Sequence, residues 1–181
     1  MSGSGDKAML RDVIVFRDLR PGEISEIEDV ASEVIYSRNQ VIFEEGDPGD
    51  ALYVIKSGEV RIIRVTPAGI EKVLARLGPR SFFGEMSLLD GYPRSASAVA
   101  DSRCELFRIA KSDLDGLIGK NSIAAYKVIY GFARTLSYRL RKMNDKLIEI
   151  FSDPDKTINE ILEELGEDRD ILLSGWSNFP E

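Results

Sequence analysis

The chain has 181 residues, 24 basic and 31 acidic, a net charge of −7, no histidine and one cysteine, Cys104. Without histidine there is no Ser-His or Cys-His nucleophile pair, no HExxH zinc site and no histidine-ligated haem. A single cysteine excludes an internal disulfide, a four-cysteine iron–sulfur cluster and a CxxC redox pair.

Hydrophobic residues at 43% and charged residues at 30% suit a globular chain that can bury a core. No apolar run approaches the roughly 18 residues that span a bilayer, and the Gly/Ser-rich start lacks a signal-peptide pattern. The expectation is a cytoplasmic protein without membrane contact. Charge is uneven: residues 153–181 hold 9 acidic and 2 basic residues, which leaves 22 of each sign in residues 1–152. The acidic balance of the whole chain argues against a strong generic nucleic-acid surface.

In chain order, the first six residues read as a flexible lead, and residues 7–19 as a short helix. Pro21 fits a first helical position, and Ile24, Ile27, Val30, Ala31 and Val34 follow at helical spacing, which predicts a helix over 22–34. Short β-branched and aromatic runs then recur, punctuated by glycine: 41–45, 51–55, 60–65, 71–77, 96–100 and 104–109. Strands at that spacing predict an all-β sandwich or barrel. Cys104, inside one of them, reads as a small buried hydrophobe. Asp47-Pro48-Gly49-Asp50 reads as a turn without EF-hand spacing, and Glu44 and Glu45 as a solvated strand end.

Helix returns after Ala110. Ser112 can cap a short helix ending at Gly119, and Asn121 or Ser122 a second that runs about 30 residues to Phe151. Ile129, Phe132, Leu136, Leu140, Met143, Leu147 and Ile150 form a nearly heptad stripe that must be buried on the barrel or against a second copy. Gly131 within that helix points to a close approach or a hinge. Arg134, Arg139, Arg141 and Lys142 give it a basic patch, solvent-facing or paired with the acidic tail, with partner docking as the second reading. After Asp153-Pro154, Thr157 and Glu160 form a capping-box pattern before Ile158, Ile161, Leu162 and Leu165, a short amphipathic helix. Trp176 and Phe179 either tuck onto the barrel or anchor a partner.

The segment that carries chemistry is Phe82 to Ala98, FFGEMSLLDGYPRSASA. Gly84 lets backbone approach a ligand closely. Residues 84–88 can form one helical turn with free N–H groups. Arg94 offers a planar donor fork that matches two phosphate oxygens. Ionised Glu85 only accepts hydrogen bonds, so it suits a donor such as a sugar hydroxyl, and Ser95 adds a hydroxyl. Together these suit a small anionic ligand that bears a hydroxyl. The plainer alternative is an ion pair between Glu85 and Arg94 in a loop whose turn Gly84 closes.

FGEMSLLDGYPRSASA resembles the phosphate-binding cassette of the cyclic nucleotide-binding domain, as found in catabolite-activator-type regulators, kinase regulatory subunits and cyclic-nucleotide-gated channels. VIFEEGDPGDALYVIKSGEVRI resembles that family's early barrel, and the likeness covers residues 14–151. It implies a mainly β fold with flanking helices, an eight-stranded antiparallel jelly-roll β-barrel, plus a long C-terminal helix. The parts would be a flexible lead over 1–12, a cyclic nucleotide-binding barrel with an N-terminal helix over 13–120, a dimerisation or lid helix over 121–152, and an acidic tail with one short helix over 153–181.

The resemblance also implies site roles. Glu85 would hold the ribose 2′-hydroxyl, and Arg94 and Ser95 the exocyclic phosphate oxygens, with backbone N–H groups near Gly84, Met86 and Ser87. Leu74, Ala75 and Ala96 would line the pocket around sugar and base. Met143 and Asn144 fall where the long helix meets the purine in bacterial regulators; Asn144 would bond adenine or be solvated. Asn39 stands where the family's turn usually has glycine, and asparagine tolerates the left-handed conformation. Ser87 replaces the common alanine. Ser95 fits cAMP in bacterial binders and cGMP in eukaryotic kinases; cAMP is favoured.

The implied protein is a non-enzymatic cyclic nucleotide sensor, with cAMP or cGMP as ligand and no metal, haem or iron–sulfur cluster. It would be a homodimer through the 122–151 helix that signals to an unknown protein partner. The 27 residues that follow Pro154 are acidic on balance, which argues against direct DNA binding, since that needs a basic face and more chain. The alternatives are the sensor half of a transcription regulator and a barrel interaction module that binds no cyclic nucleotide.

Overall fold

A computed structural model describes residues 7–152. The chain divides into two compact units, Met1–Arg134 and Thr135–Glu181. Two 3-10 turns, Lys7–Asp12 and Ile14–Phe16, lead into α1 (Pro21–Val30). Eight strands follow: β1 (Ala31–Tyr36), β2 (Val41–Phe43), β3 (Ala51–Ser57), β4 (Val60–Val65), β5 (Glu71–Leu77), β6 (Phe82–Phe83), β7 (Ser97–Ala100) and β8 (Cys104–Ala110). The short helix α2 (Met86–Asp90) lies between β6 and β7, and α3 (Lys111–Gly119) and α4 (Ile123–Ser152) follow β8. No described helix is long and apolar enough to cross a membrane.

The strands form two four-stranded antiparallel sheets, β1-β8-β3-β6 and β2-β7-β4-β5, the two layers of a jelly roll. β3 and β8 explain why there are two layers of core. On one face of their sheet, Leu52, Val54, Phe107 and Ile109 pack with Phe16, Ile24, Ile27, Val128 and Phe132 of the helices and turns. On the other, Tyr53, Ile55, Leu106 and Cys104 pack with Val60, Ala98 and Ala100 of the second sheet. A strand buried on both faces reads as a continuous apolar run, and residues 51–55 are buried at every position. Cys104 is fully buried, as its strand position predicts.

The structure corrects three local expectations. The helix expected over 22–34 stops at Val30, where the chain turns directly into β1, and Ala31 to Tyr36 pair with Ile109 to Cys104. Ala31 and Val34 fit a helical stripe and a strand face equally well, and the free edge of β8 decides between them. The helix expected over 7–19 is two 3-10 turns. Ser112 does not cap α3, whose N-cap is Ala110 with no side-chain capping bond. Asn39 adopts φ +65° and donates its N–H to Ala100 O, as the turn reading anticipates.

The first turns of α4 are anchored to the N-terminal segment. The Ser122 hydroxyl accepts from Ala125 N–H, the capping bond, and donates to Glu26 Oε2 at 2.6 Å. Lys127 and the Arg20 backbone N–H both reach Glu23 Oε2, and these two bonds hold the Glu23 carboxyl below its ordinary range. Arg134 pairs with Asp18. A Cβ on Gly131 would come within 2.8 Å of Val15 O and Val15 Cγ2, so Gly131 marks a close approach. Gly131→Val is expected to destabilise the chain by about 2 kcal/mol, because backbone cannot yield to the added volume. Urea unfolding checks this, and an unchanged midpoint would refute it.

Candidate functional site

The 84–95 segment is built around a buried cation. Gly84 ends β6 in the left-handed region at φ +86°, where a Cβ would lie 2.7 Å from Arg94 Nη1 and 3.0 Å from Ala51 O. Glycine is therefore required twice there, for conformation and for space. Glu85 precedes α2, and its carbonyl accepts from the N–H groups of Leu88 and Leu89. Gly91, at φ +72°, closes α2 by donating its N–H to Ser87 O. The helical turn expected over 84–88 thus begins two residues later, because Gly84 cannot be helical at that φ.

Arg94 is 3% exposed. Its Nη1 donates to Gly84 O at 2.8 Å, and its Nη2 to Ala51 O at 2.8 Å and Asp50 Oδ1 at 3.0 Å. The guanidinium carbon lies 4.2 Å from the centre of the Phe43 ring. Among the described residues, Arg94 Nε is the one buried side-chain N or O atom with no hydrogen-bond partner. An unpaired buried polar group costs about 1–3 kcal/mol, so its retention points to an oxygen supplied from outside.

Asp50 is shared. Its second oxygen accepts from Arg108 Nη2 at 2.7 Å. Burial pushes the Asp50 carboxyl up, but the hydrogen bonds and charges of Arg108 and Arg94 outweigh it and hold the group below the usual carboxylate range. The bond to Asp50 in turn raises Arg108. Two guanidinium groups on one carboxylate give this cluster the positive sign that an anion needs.

The remaining predicted site residues fall into three places. Glu85 and Ser87 are buried at 2% and 3% exposure beside the exposed Met86, and Ala96 is buried just before β7. Ser95 is exposed, with its hydroxyl 3.8 Å from Met86 Sδ. Leu74 and Ala75 lie on β5, exposed and half-buried. Met143 and Asn144, both exposed, belong to the second unit. Thr157, Glu160, the helix expected over 158–165, Trp176 and Phe179 lie outside the described residues.

Sequence reasoning passed over the segment that supports the cassette from beneath. Residues 44–50, which hold the strand end at Glu44 and Glu45 and the turn at 47–50, exchange backbone bonds with Arg94: Gly46 N–H donates to Arg94 O at 2.9 Å, and Arg94 N–H to Asp47 O at 2.8 Å. A Cβ on Gly49 would lie 2.1 Å from Ser87 Cβ, so glycine lets this loop touch α2. The available signal was that a buried arginine needs a carboxylate, and Asp50 stands among the acidic residues of that loop. The described residues hold no cluster of three or more potential metal ligands.

Comparison with known proteins gives the same assignment as the cassette. Residues 33–121 match the family model described as the cyclic nucleotide-binding domain. The chain is 39% identical over 133 residues to the cyclic AMP receptor protein of Thermus thermophilus, covering 74% of this chain and 60% of that protein. It is 35% identical over 113 residues to the cAMP-dependent protein kinase regulatory subunit of Aspergillus fumigatus, covering 62% of this chain and 27% of that one. The N-terminal domain of a transcriptional regulator from Streptomyces coelicolor superposes with a TM-score of 0.64 at 36% identity, over 77% of this chain and 94% of that structure. The chain spans about a quarter to three-fifths of the length of the two curated relatives. With its eight-stranded jelly roll, the Gly84–Arg94 cassette and these matches, the chain belongs to the cyclic nucleotide-binding domain family.

Proposed function

We propose that the chain is a cyclic nucleotide sensor, with cAMP the favoured ligand, that senses and does not catalyse. The observation that carries this is Arg94: buried, held at both terminal nitrogens by Gly84 O, Ala51 O and Asp50, and left with an unpaired Nε. Arg94 and Ser95 would take the exocyclic phosphate oxygens, with backbone near Gly84, Met86 and Ser87, and Glu85 the ribose 2′-hydroxyl. Leu74, Ala75 and Ala96 would contact sugar and base. Output would run through α4, as a homodimer surface and toward a protein partner. A ligand shifts α4 only if it binds two of its arrangements with different affinity.

The experiment is a thermal-shift titration with cAMP, cGMP and AMP. At a hundredfold excess over Kd, mass action adds about 2.7 kcal/mol, a rise on the order of 5–10 °C. A saturable rise with cAMP and a much smaller one with AMP is expected. No rise with either cyclic nucleotide would overturn the reading in favour of an interaction module.

A second reading, the sensor half of a transcription regulator, is favoured by the 94% coverage of the Streptomyces coelicolor N-terminal domain. The mass of the endogenous protein on an immunoblot separates the two outputs.

A further inference from the structure

The structure assigns Phe43 as a positioning residue for anion recognition: its ring is the shelf that fixes the plane of the Arg94 guanidinium. Phe43 ends β2, on the sheet opposite to β3 and β6, and packs against the core between the sheets. Its ring centre is 5.9 Å from those of both Tyr53 and Phe83, which stack on each other at 5.3 Å with planes 13° apart. Three rings from three strands thus form one platform, and Arg94 lies on the Phe43 member at 4.2 Å. Platform rigidity matters because the hydrogen bonds of Arg94 do not by themselves define the guanidinium's tilt. Gly84 O and Ala51 O hold one nitrogen each, and Asp50 is half open to water.

The ring does three things at once. It attracts the cation through its negative face. It shields one face of the guanidinium from water, which strengthens every bond the group makes. It forces the donors into a plane set by the barrel, so the unpaired Nε–H keeps one direction. A planar fork recognises two oxygens only when its plane is right. The neighbouring chain adds to the constraint, since Gly46 and Asp47, three and four residues after Phe43, bond the Arg94 backbone. Segment 43–51 therefore holds Arg94 at main chain, at Nη2 and at one face, and Phe43 supplies the face.

This inference rests on the cyclic nucleotide reading for its ligand and on the geometry for its mechanism, and the test separates the two. Phe43→Leu keeps apolar volume and removes the π face; Phe43→Tyr keeps the face. In the proton–nitrogen spectrum of the ligand-free protein, the Arg94 Nε–H signal is assigned by its loss in Arg94→Lys. Phe43→Leu is expected to remove its ring-current shift and speed its exchange with water, while Phe43→Tyr leaves both near the parent values. Calorimetry with cAMP is expected to show a loss of about five- to thirtyfold for Phe43→Leu and less than threefold for Phe43→Tyr. In an Arg94→Lys background, Phe43→Leu is expected to cost little more, because a merely structural role would persist there. An unmoved Nε–H signal, or equal losses in both backgrounds, overturns the shelf. A parent that shows the Nε–H signature but binds no cyclic nucleotide overturns the ligand reading while the shelf stands.

Discussion

Arg94→Ala is expected to weaken cAMP binding by at least about a hundredfold, measured by isothermal titration against the parent. Truncating one partner of a buried, hydrogen-bonded charge pair typically costs 2–5 kcal/mol, and a hundredfold is about 2.8 kcal/mol. The geometry puts Arg94 in the strong class, because the group is 3% exposed and held by three hydrogen bonds together with the face of the Phe43 ring. No side-chain ordering remains to be done on binding, so little of the interaction is spent on entropy. The substitution also acts on the free protein. It strips donors from Gly84 O and Ala51 O and leaves Asp50 to Arg108 alone. A stability loss of about 1–3 kcal/mol is therefore expected without ligand. The two effects separate in one experiment: the variant melts lower, and its melting temperature no longer rises with cAMP. Arg94→Lys keeps the charge, loses the fork, and should fall between. Parent-like affinity in Arg94→Ala would place the phosphate elsewhere.

The same residue shows how far the sequence reaches. The order glycine, carboxylate, short turn, arginine marks a cassette, and the strand that follows it, β7, is readable as the apolar run 96–100. Strands β4 and β5 fall where the pattern predicts, since each lies between glycines and pairs locally in a hairpin. β1 and β6 were not readable. β6 is two residues long, and β1 owes its state to Ala31–Tyr36 meeting Ile109–Cys104, 68 to 78 positions away. Local propensity carries no trace of such a partner.

What surrounds Arg94 was hidden for the same reason. Asp50 and Phe43 lie 44 and 51 positions before Arg94, and both look ordinary on their own. An acidic turn residue and a strand phenylalanine become a counter-ion and a shelf only when β2, β3 and the cassette converge. The long helix was the most legible element: its 30 residues follow from an unbroken stripe and from Ser122 as cap. The structure then divides the stripe by burial. Phe132 is fully buried and Ile129 packs on the core, whereas Leu140, Met143 and Leu147 are exposed. A stripe records only that apolar residues share a face; what covers each stretch is decided by the chain that comes back to meet it.

Glu85 should decide which part of the ligand is read beyond its phosphate. Glu85 is a buried residue at 2% exposure in the cassette, and its carboxylate offers acceptors that suit a donor such as a ribose hydroxyl. Glu85→Gln is close in shape but replaces one acceptor oxygen with a donor, which a hydroxyl meets less well. The expected result is a loss of about ten- to a hundredfold for cAMP, since hydrogen bonds to charged groups contribute about 1.5–3 kcal/mol. The stronger test is a cycle with the ligand. Against the parent, 2′-deoxy-cAMP should bind about ten- to a hundredfold more weakly than cAMP. Against Glu85→Gln the two ligands should bind alike, because the interaction removed from either side is the same one. Folding should change little, since the backbone role of Glu85, accepting from Leu88 and Leu89 to start α2, does not depend on its side chain. An unchanged ratio between the two nucleotides would show that Glu85 is not the hydroxyl's partner. Its burial would then belong to the frame that shapes the cassette, and hydroxyl recognition would have to be sought among the backbone groups near Gly84.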